Sequence, residues 1–325
     1  MLQTAFLGDA VLCIPLLKSL KKAYPSSSIV LVCRKGLGEF FCATGLVGSA
    51  IEVDKSDKNS FKAAFKSTKK YSYDLILSPH RSFRSALWTK RLHPKLSIGF
   101  KRSLGSLFFS KVVTYQKSQH DVMRQLSLMQ PLGINLSTLS KEDLSLRVKL
   151  PTAALSPFAE YKNAVIISPG SQWNTKRWTL EGFTEVARVL GERGYKVVVV
   201  GTEAEKVLGD EISLKVPGVI NLCGQTTVLE LAILLSFSKV LICNDSGTMH
   251  LAASVGTAVV SIFGPTVRAL GYSPWNENSR VVEIENLKCR PCGAHGHDKC
   301  PIGTHACMKL IDASVVLKNA LEFLA

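Results

Sequence analysis

Short apolar runs rich in Val and Ile alternate with segments of helical periodicity along the whole chain. Most of the runs are continuously apolar, which is typical of strands covered on both faces. Beyond a short first strand, the predicted strands are Ser28–Cys33, Ala50–Val53, Asp74–Ser78, Leu96–Ile98, Lys111–Val113, Ala164–Ser168, Lys196–Val200, Val219–Leu222, Val240–Cys243, Ala258–Phe263 and Arg280–Ile284. Amphipathic helices, such as Leu180–Gly194 and Val228–Phe237, are predicted between them. This alternation indicates parallel sheets of the α/β class.

The chain length favours two domains. A chain of 325 residues exceeds one typical core and suits two domains of about 150 residues each. The aperiodic stretch from Ser140 to Phe158 predicts the boundary, giving domains 1–155 and 156–325. Both halves repeat the same strand–helix pattern, which predicts two doubly wound domains facing a central cleft, with ligands bound at the carboxyl ends of the strands. The last helix, Ala313 to Leu324, is a candidate for packing back on the first domain.

The composition excludes several classes of protein. No run of about 18 uncharged apolar residues occurs, which argues against an integral membrane protein. The N-terminus does not resemble a secretion signal, because its first basic residue is Lys18 and Asp9 interrupts the apolar stretch. We therefore expect a cytoplasmic protein whose cysteines are mostly reduced.

The excess positive charge lies entirely in the first half. Residues 1–150 contain 24 Lys and Arg against 9 Asp and Glu, whereas residues 151–325 contain 16 of each. Basic excess indicates contact with polyanions such as nucleic acid, an anionic membrane or an acidic substrate, and the alternative is a solvated basic face. No zinc-finger, RRM or similar signature accompanies the charge, so a nucleic-acid partner is not expected.

Gly8 and Asp9 directly follow the first strand. Glycine allows a tight turn or a close approach to a ligand. At this junction Asp9 has two interpretations: it caps the following helix, or it is a general base for an acceptor hydroxyl. Pro15 falls inside the helical pattern, so the helix is either distorted or begins later.

A polar loop from Ser168 to Trp178 follows a predicted buried strand. Gly170 and Ser171 suit a loop whose amides face an anion, and Lys176 adds a full positive charge. The alternative is a surface loop with an incidental Lys-Arg pair.

The segment from Asn244 to His250 leads from another buried strand into a helix. Asn244, Asp245 and Ser246 are candidate caps. Amides at Gly247 and Thr248 would lie at the positive end of the helix dipole, a position that holds a diphosphate without metal. The alternative is a plain capped helix with a structural histidine at His250.

Nucleotide-binding signatures of other kinds are missing. The Gly36-Leu-Gly38 pair is followed by Phe41 where a dinucleotide fold needs a third glycine. No Asp-x-Asp occurs, so metal-assisted binding of a nucleotide diphosphate is not favoured.

Four late cysteines form a separate cluster in the sequence, with histidines between them: Cys289, Cys292, Cys300 and Cys307. Their spacing fits a candidate structural zinc site but not a standard finger. An iron–sulfur cluster and reduced structural thiols are the alternatives, and none of these implies catalysis.

Taken in order, these motifs resemble the ADP-heptose:lipopolysaccharide heptosyltransferases of glycosyltransferase family 9. The matching segments are Leu7-Gly-Asp9, Pro79-His-Arg-Ser82, Ser168-Pro-Gly170, Lys176-Arg-Trp178, Asn244-Asp-Ser-Gly-Thr-Met-His250 and Phe263-Gly-Pro-Thr266. The tail, with Cys300-Pro301 and Cys307-Met308, looks closest to the heptosyltransferase II branch.

The resemblance implies a GT-B fold with an acceptor-binding first domain and a nucleotide-sugar-binding second domain. It implies inverting transfer from ADP-heptose to an anionic lipopolysaccharide-core acceptor, with no required cofactor and with peripheral attachment to the inner face of the cytoplasmic membrane. By position, it implies that Asp9 is the catalytic base and Lys176 the donor-phosphate lysine. The implied donor-binding residues are Ser171, Lys176, Glu203, Asp245, Ser246, Gly247, Thr248 and His250, and the implied acceptor-binding residues are His80, Arg81 and Arg84.

Two rival functions remain at this stage. One is a glycosyltransferase of the same fold that uses another nucleotide sugar. The other is a non-enzymatic basic protein that binds membranes or polyanions, although a basic surface alone would not need the three polar segments.

Overall fold

The computed structural model describes residues 1–101, 103, 105–151 and 158–324. The chain divides into two compact units, Met1–Leu146 and Arg147–Ala325. The predicted boundary between residues 155 and 156 lies outside the described residues.

The described part of unit 1 contains two three-stranded parallel sheets, ordered β1-β2-β3 and β4-β5-β6. The strands are β1 (Leu2–Gln3), β2 (Val30–Arg34), β3 (Ser49–Val53), β4 (Leu75–Leu77), β5 (Leu96–Phe100) and β6 (Lys111–Val113). The helices are α1 (Leu7–Val11), α2 (Ile14–Ala23), α3 (Gly38–Ala43), α4 (Lys58–Thr68), α5 (Phe83–Arg91), α6 (Asp121–Leu126) and α7 (Lys141–Leu144). Apolar strand residues and the indole of Trp88 form one core cluster, in which the Trp88 ring N–H donates to Thr68 Oγ1 at 3.0 Å.

Pro15 lies in the first turn of a new helix. The first helix, α1, ends at Val11, and α2 begins at Ile14. Proline is tolerated in a first helical turn because the amide N–H there has no intrahelical partner. Of the two alternatives left by the sequence, the structure therefore shows the later start.

Unit 2 is built on a six-stranded parallel sheet, ordered β12-β11-β10-β7-β8-β9. Its strands are β7 (Val165–Ser168), β8 (Val197–Val199), β9 (Ile220–Asn221), β10 (Val240–Asn244), β11 (Ala258–Phe263) and β12 (Ser279–Glu283). Its helices are α8 (Leu180–Glu192), α9 (Lys206–Lys215), α10 (Val228–Phe237), α11 (Gly247–Val255), α12 (Ala306–Lys309) and α13 (Ala313–Leu321). From β7 the chain adds strands first on one side of the sheet (β8, β9) and then on the other (β10, β11, β12). The strand order therefore reverses between β7 and β10, and open α/β sheets bind ligands at such a switch point.

The predicted α/β class with parallel sheets is confirmed. Central strands such as β10 and β11 are buried along their whole length, as their continuous apolar sequences indicate. The last helix, α13, belongs to unit 2, where it packs against α8, β11 and β12. Within the described residues, every helix falls short of the length and apolar character required to cross a bilayer.

Candidate active site

Two loops meet at the switch point of the sheet in unit 2, between β7 and β10. One follows β7 and the other follows β10, and Asn244, the last residue of β10, joins them. Its fully buried amide donates from Nδ2 to the carbonyl oxygens of Pro169, at 2.8 Å, and Gly170, at 3.1 Å. Its Oδ1 accepts from the backbone N–H of Trp178 at 2.9 Å. Asn244 thus ties the loops together. The sequence predicted that it caps the following helix, but it does not, because its side chain is used in these contacts.

Lys176 forms a buried ion pair with Asp245. The distance from Lys176 Nζ to Asp245 Oδ2 is 2.6 Å, and the two side chains are 13% and 8% exposed. Thr266 donates from Oγ1 to the same carboxylate oxygen at 2.6 Å. The carboxylate therefore holds the ammonium group beside the start of α11 instead of capping that helix.

The N-terminus of α11 offers a binding position for an anion. Ser246 is the N-cap residue but makes no side-chain cap, and its buried Oγ has no hydrogen-bond partner. The first N–H groups of a helix, here from Gly247 and Thr248 onward, have no intrahelical partner and carry a partial positive charge. His250 lies one turn further on and is buried. The ammonium group of Lys176 is paired with Asp245, the second residue before α11, so the uncompensated positive charge here is that of the helix dipole.

Two further predicted donor-binding residues lie on neighbouring loops of unit 2. Ser171 is buried, and its carbonyl oxygen accepts from Arg177 Nε at 3.0 Å and Nη2 at 2.9 Å. Glu203 is exposed and begins a 3-10 turn after β8. Gly224, with a φ of +76°, packs so closely against Glu203 that a Cβ would overlap its carboxylate. Both residues follow strands of the same sheet, at its carboxyl edge.

Asp9 lies in the first turn of α1, in unit 1. The N-cap residue is Phe6, which makes no side-chain cap. Burial, and secondarily the nearby Asp121 carboxylate, raises the pKa of Asp9 to about 6, although backbone N–H groups and Lys55 oppose the rise. A carboxylate with this pKa is ionised at neutral pH yet basic enough to accept a proton.

A buried network fixes the backbone at Asp9. Gln125, on α6, donates from Nε2 to the Asp9 carbonyl oxygen at 3.2 Å and to Asp121 Oδ2 at 2.6 Å. Gln3 donates to the same Asp9 carbonyl oxygen at 3.3 Å. This support was not predicted from the sequence, because Gln125 lies 116 positions away from Asp9 in the chain.

The cationic side chain of Lys55 lies near Asp9 in unit 1, and two arginines lie near Lys55. Lys55 interacts electrostatically with Asp9, Arg34 and Arg84, and its pKa is lowered by desolvation and by the two arginines. Arg34 ends β2, and Lys55 follows β3. Neither residue was predicted from the sequence as part of the site, although each lies at the carboxyl end of a parallel strand, as does Asp9 after β1.

The predicted acceptor residues His80, Arg81 and Arg84 follow β4 at the same edge. His80 Nδ1 is 3.0 Å from Thr4 Oγ1 and 3.2 Å from Ser85 Oγ. Desolvation, then Lys55 and Arg84, lowers the pKa of His80 to about 4, so the ring is neutral. Arg84 stays close to Lys55, whereas Arg81 stacks over the Tyr115 ring at 4.0 Å.

The four late cysteines are the candidate metal ligands of the chain. Among the described residues, no three His, Cys, Asp or Glu side chains are arranged to hold a metal ion. The thiols of Cys289, Cys292, Cys300 and Cys307 are free. Structural zinc at these cysteines stays a prediction, and no step of the reaction depends on it.

The segment that carries these cysteines contacts the Lys176 loop instead. Thr175 donates from its backbone N–H and from Oγ1 to the carbonyl oxygen of His297, at 3.0 and 2.9 Å, and the His297 N–H donates back to Oγ1 at 2.7 Å. His305 Nε2 lies 2.8 Å from the Thr175 carbonyl oxygen. The conformation of the residue before Lys176 is thus fixed by a remote segment.

The doubly wound parallel sheet of unit 2, with a candidate ligand site at its switch point, places the protein in the class of Rossmann-like α/β proteins. A family model described as glycosyltransferase family 9 (heptosyltransferase) matches residues 61–300, and the chain belongs to this family. The predicted resemblance and the glycosyltransferase activity are thereby confirmed.

Curated relatives cover most of the chain. The chain is 28% identical to lipooligosaccharide heptosyltransferase 2 of Campylobacter jejuni serotype O:2, over 98% of this chain and 96% of that protein. It is 26% identical to lipopolysaccharide heptosyltransferase 3 of Escherichia coli K12, over 83% of each.

Solved structures confirm the GT-B fold. The structure of E. coli ADP-heptose lps heptosyltransferase II superposes with a TM-score of 0.81 at 20% identity, covering 99% of this chain and 97% of that one. A glycosyl transferase family 9 structure from Veillonella parvula gives a TM-score of 0.84 at 22% identity, covering 99% and 96%. At these identities the likeness is one of fold.

Proposed function

We propose that the protein transfers a heptose from ADP-heptose to a hydroxyl of the lipopolysaccharide inner core. The observation that carries the proposal is the Lys176–Asp245 pair beside the uncapped start of α11. Relatives over most of the chain are named heptosyltransferases. One structure of similar fold is that of E. coli heptosyltransferase WaaC with ADP-2-deoxy-2-fluoro heptose.

In this proposal, unit 2 binds the donor. The N–H groups at Ser246, Gly247 and Thr248 bind the diphosphate through the helix dipole, and Lys176 shares its ammonium between Asp245 and the phosphates. The buried Ser246 Oγ, which lacks a partner, is available to the same anion. Further contacts come from His250, Ser171 and, at the ribose, Glu203.

Asp9 is the general base of the proposed reaction. It takes the proton from the acceptor hydroxyl, whose oxygen attacks the anomeric carbon from the face opposite ADP, so the configuration inverts. The C–O bond to the diphosphate breaks, and Lys176 with the α11 N–H groups stabilises the negative charge on the departing ADP. The elevated pKa of Asp9 supports this role because it strengthens the base.

The acceptor in this proposal is an anionic, lipid-linked sugar. Arg34, Lys55 and Arg84 supply positive charge around Asp9, and neutral His80 offers a ring nitrogen to a hydroxyl. The basic first half also suits peripheral attachment to the anionic inner leaflet. The proposed reaction uses neither a cofactor nor a nucleic-acid partner.

The test is incubation of the full-length protein with ADP-heptose and truncated lipopolysaccharide cores, followed by mass spectrometry for an added heptose. ADP-hexoses and UDP-hexoses serve as competing donors. Transfer from a hexose donor in preference to ADP-heptose would favour the rival glycosyltransferase. Steep salt-dependent binding to polyanions without transfer from any of these donors would favour the non-enzymatic rival.

Removing the base separates chemistry from donor binding. Asp9→Asn is expected to slow transfer by about 10²–10⁴-fold, because general-base assistance is lost while the site for ADP in unit 2 stays intact. Single-turnover rates and ADP affinity by calorimetry measure the two effects. Wild-type turnover in this variant would exclude Asp9 as the base.

Removing the ammonium group tests the donor site. Lys176→Ala is expected to weaken ADP binding and to slow transfer, because a charged hydrogen bond to phosphate contributes about 1.5–3 kcal/mol. Lys215→Ala, an exposed lysine at the end of α9, is the matched control. If both variants bind ADP with the wild-type affinity, Lys176 is not a phosphate ligand.

A further inference from the structure

One stretch of unit 1 carries positive charge without any acidic residue. Between Asp74 and Asp121 the sequence contains no Asp or Glu. The Lys and Arg residues in the same interval are Arg81, Arg84, Lys90, Arg91, Lys95, Lys101, Arg102, Lys111 and Lys117. This interval forms β4, α5, β5 and β6. Lys95 pairs with Asp74, at 2.7 Å, just before this interval. Because the interval itself contains no carboxylate, its remaining cations give this part of unit 1 an excess of positive charge, which attracts polyanions.

A short turn on this surface presents apolar side chains to solvent. Residues Ser106–Phe108 form a 3-10 turn between β5 and β6, and Leu107 at its centre is 95% exposed. Phe83, at the start of α5, is 49% exposed, and its ring centroid lies 5.7 Å from that of Phe108. Single exposed apolar residues are ordinary. Here Leu107 and the rings of Phe83 and Phe108 together form a small apolar patch on a cationic surface.

The turn is anchored on both sides. Gly105 has a φ of +83°, and a Cβ there would lie only 2.8 Å from Ala86 Cβ on α5. The ring of Phe109 covers Gly99 of β5 so closely that a Cβ on Gly99 would overlap it. These contacts fix the backbone before and after the turn, so the exposure of Leu107 is a property of the folded unit.

Lysines flank the apolar turn. Lys90 Nζ lies 4.7 Å from the centroid of the Phe108 ring. Lys101 directly follows β5, Lys111 begins β6, and both are exposed. The methylene groups of a lysine can pack on apolar surface while its ammonium group contacts water or an anionic headgroup. Proteins that bind at a bilayer interface use this arrangement.

We propose that the turn Ser106–Phe108, with Phe83, Lys90, Lys101 and Lys111, docks on an anionic lipid bilayer and inserts Leu107 below the headgroups. The lysines contact lipid phosphates, and the apolar turn enters the boundary of the acyl chains. A nucleic acid would satisfy the cations but would leave Leu107 without an apolar environment, so the combination favours a bilayer. The inference rests on the proposed function only in expecting a lipid-linked acceptor.

The test is cosedimentation of the full-length protein with vesicles of phosphatidylcholine containing phosphatidylglycerol, against pure phosphatidylcholine. Wild-type protein is expected to bind the anionic vesicles preferentially. Leu107→Ser is expected to lower the partition coefficient about tenfold, because a leucine side chain no longer leaves water. The matched control is Leu214→Ser, since Leu214 is 85% exposed on α9 of unit 2, and this variant is expected to bind like the wild type.

Charge and activity are measured in parallel. The double variant Lys101→Gln/Lys111→Gln is expected to bind anionic vesicles more weakly and with a smaller dependence on salt. Transfer to a deacylated, water-soluble acceptor is expected to be unchanged in Leu107→Ser.

Three results would overturn the inference: no wild-type binding to anionic vesicles, equal binding to both vesicle types, or undiminished binding by Leu107→Ser. Displacement of the wild type and Leu107→Ser by duplex DNA at the same concentration would assign the surface to nucleic acid. A protein that binds vesicles through Leu107 but transfers no heptose would refute the proposed function and leave this inference standing.

Discussion

Burial raises the pKa of the Asp9 carboxyl, and this shift affects the stability of the folded protein. A carboxyl whose pKa is about 6 in the folded protein and near 4 in the unfolded chain is costly to ionise in the fold. Above pH 6 both states are charged and the full cost applies, whereas below about pH 4 both are protonated and it vanishes. Asp9 therefore destabilises the folded protein at neutral pH.

Asp9→Asn is accordingly expected to raise the melting temperature at pH 7.5, because the asparagine carries no charge to desolvate. The gain is expected to shrink as the pH falls from 6 to 4. Thermal unfolding across this range measures it, with Asp74→Asn, an exposed surface acid paired with Lys95, as the control. A variant less stable than the wild type at every pH would contradict the burial argument.

Asp121 affects the pKa of Asp9, the proposed base, through its charge. Its carboxylate raises the pKa of Asp9 and accepts a hydrogen bond from Gln125. Asp121→Asn removes the negative charge but retains an acceptor oxygen, so the pKa of Asp9 is expected to fall. The acid limb of kcat/KM against pH would then move to lower pH. An unmoved limb would show that Asp121 acts only as a structural partner of Gln125.

At the scale of elements, the strands were predictable and the connections between loops were not. Continuous runs of β-branched residues predicted β11 over its observed range and β10 within one residue. Sequence periodicity carries no information on which remote polar groups meet, so neither the contacts of Asn244 nor the support of Asp9 by Gln125 was foreseen. Both depend on tertiary packing, although the polar end of a buried strand indicates where to search.

The hydrogen bonds that join Thr175 to His297 and His305, here called the clasp, lead to a prediction about the donor site. Thr175→Val keeps the shape of the side chain but removes the Oγ1 hydrogen bonds to His297, leaving the half-buried His297 N–H without its partner. We expect weaker ADP binding, by about 1–3 kcal/mol, because the backbone that carries Lys176 loses part of its support, although the pair with Asp245 remains. Calorimetry measures the affinity.

Thr184→Val is the matched control for this prediction. Thr184 donates from Oγ1 to the Leu180 carbonyl oxygen within α8, away from the loop. If Thr175→Val binds ADP as tightly as the control variant, the clasp has no influence on the donor site.

At the scale of the whole molecule, the proposed acceptor-binding half and the proposed donor-binding half differ in net charge. The first half carries all of the net charge of +15, and the second half is balanced. Exposed cations such as Lys55 and Arg84 are screened by salt, whereas Lys176 is largely buried beside its partner. The sequence predicted this division of charge directly, because it requires only counting.

Salt is therefore expected to affect the two substrates unequally. Raising the ionic strength should increase KM for an anionic, water-soluble acceptor several-fold while changing ADP affinity less. Steady-state kinetics and calorimetry over the same salt series compare the two. Equal salt dependence of both would show that the exposed basic residues of unit 1 do not contact the acceptor.

The tie made by Asn244 limits how this chain can change in length. Adjacent residues of a strand point to opposite faces, so inserting or deleting one residue within β10 would turn the amide away from Pro169, Gly170 and Trp178 together. One such event would release both loops at once, whereas an added residue in an outlying surface loop would disturb neither. Over evolutionary time, insertions should be purged from the stretch 240–247 far more strictly than from the connections at the opposite edge of the sheet.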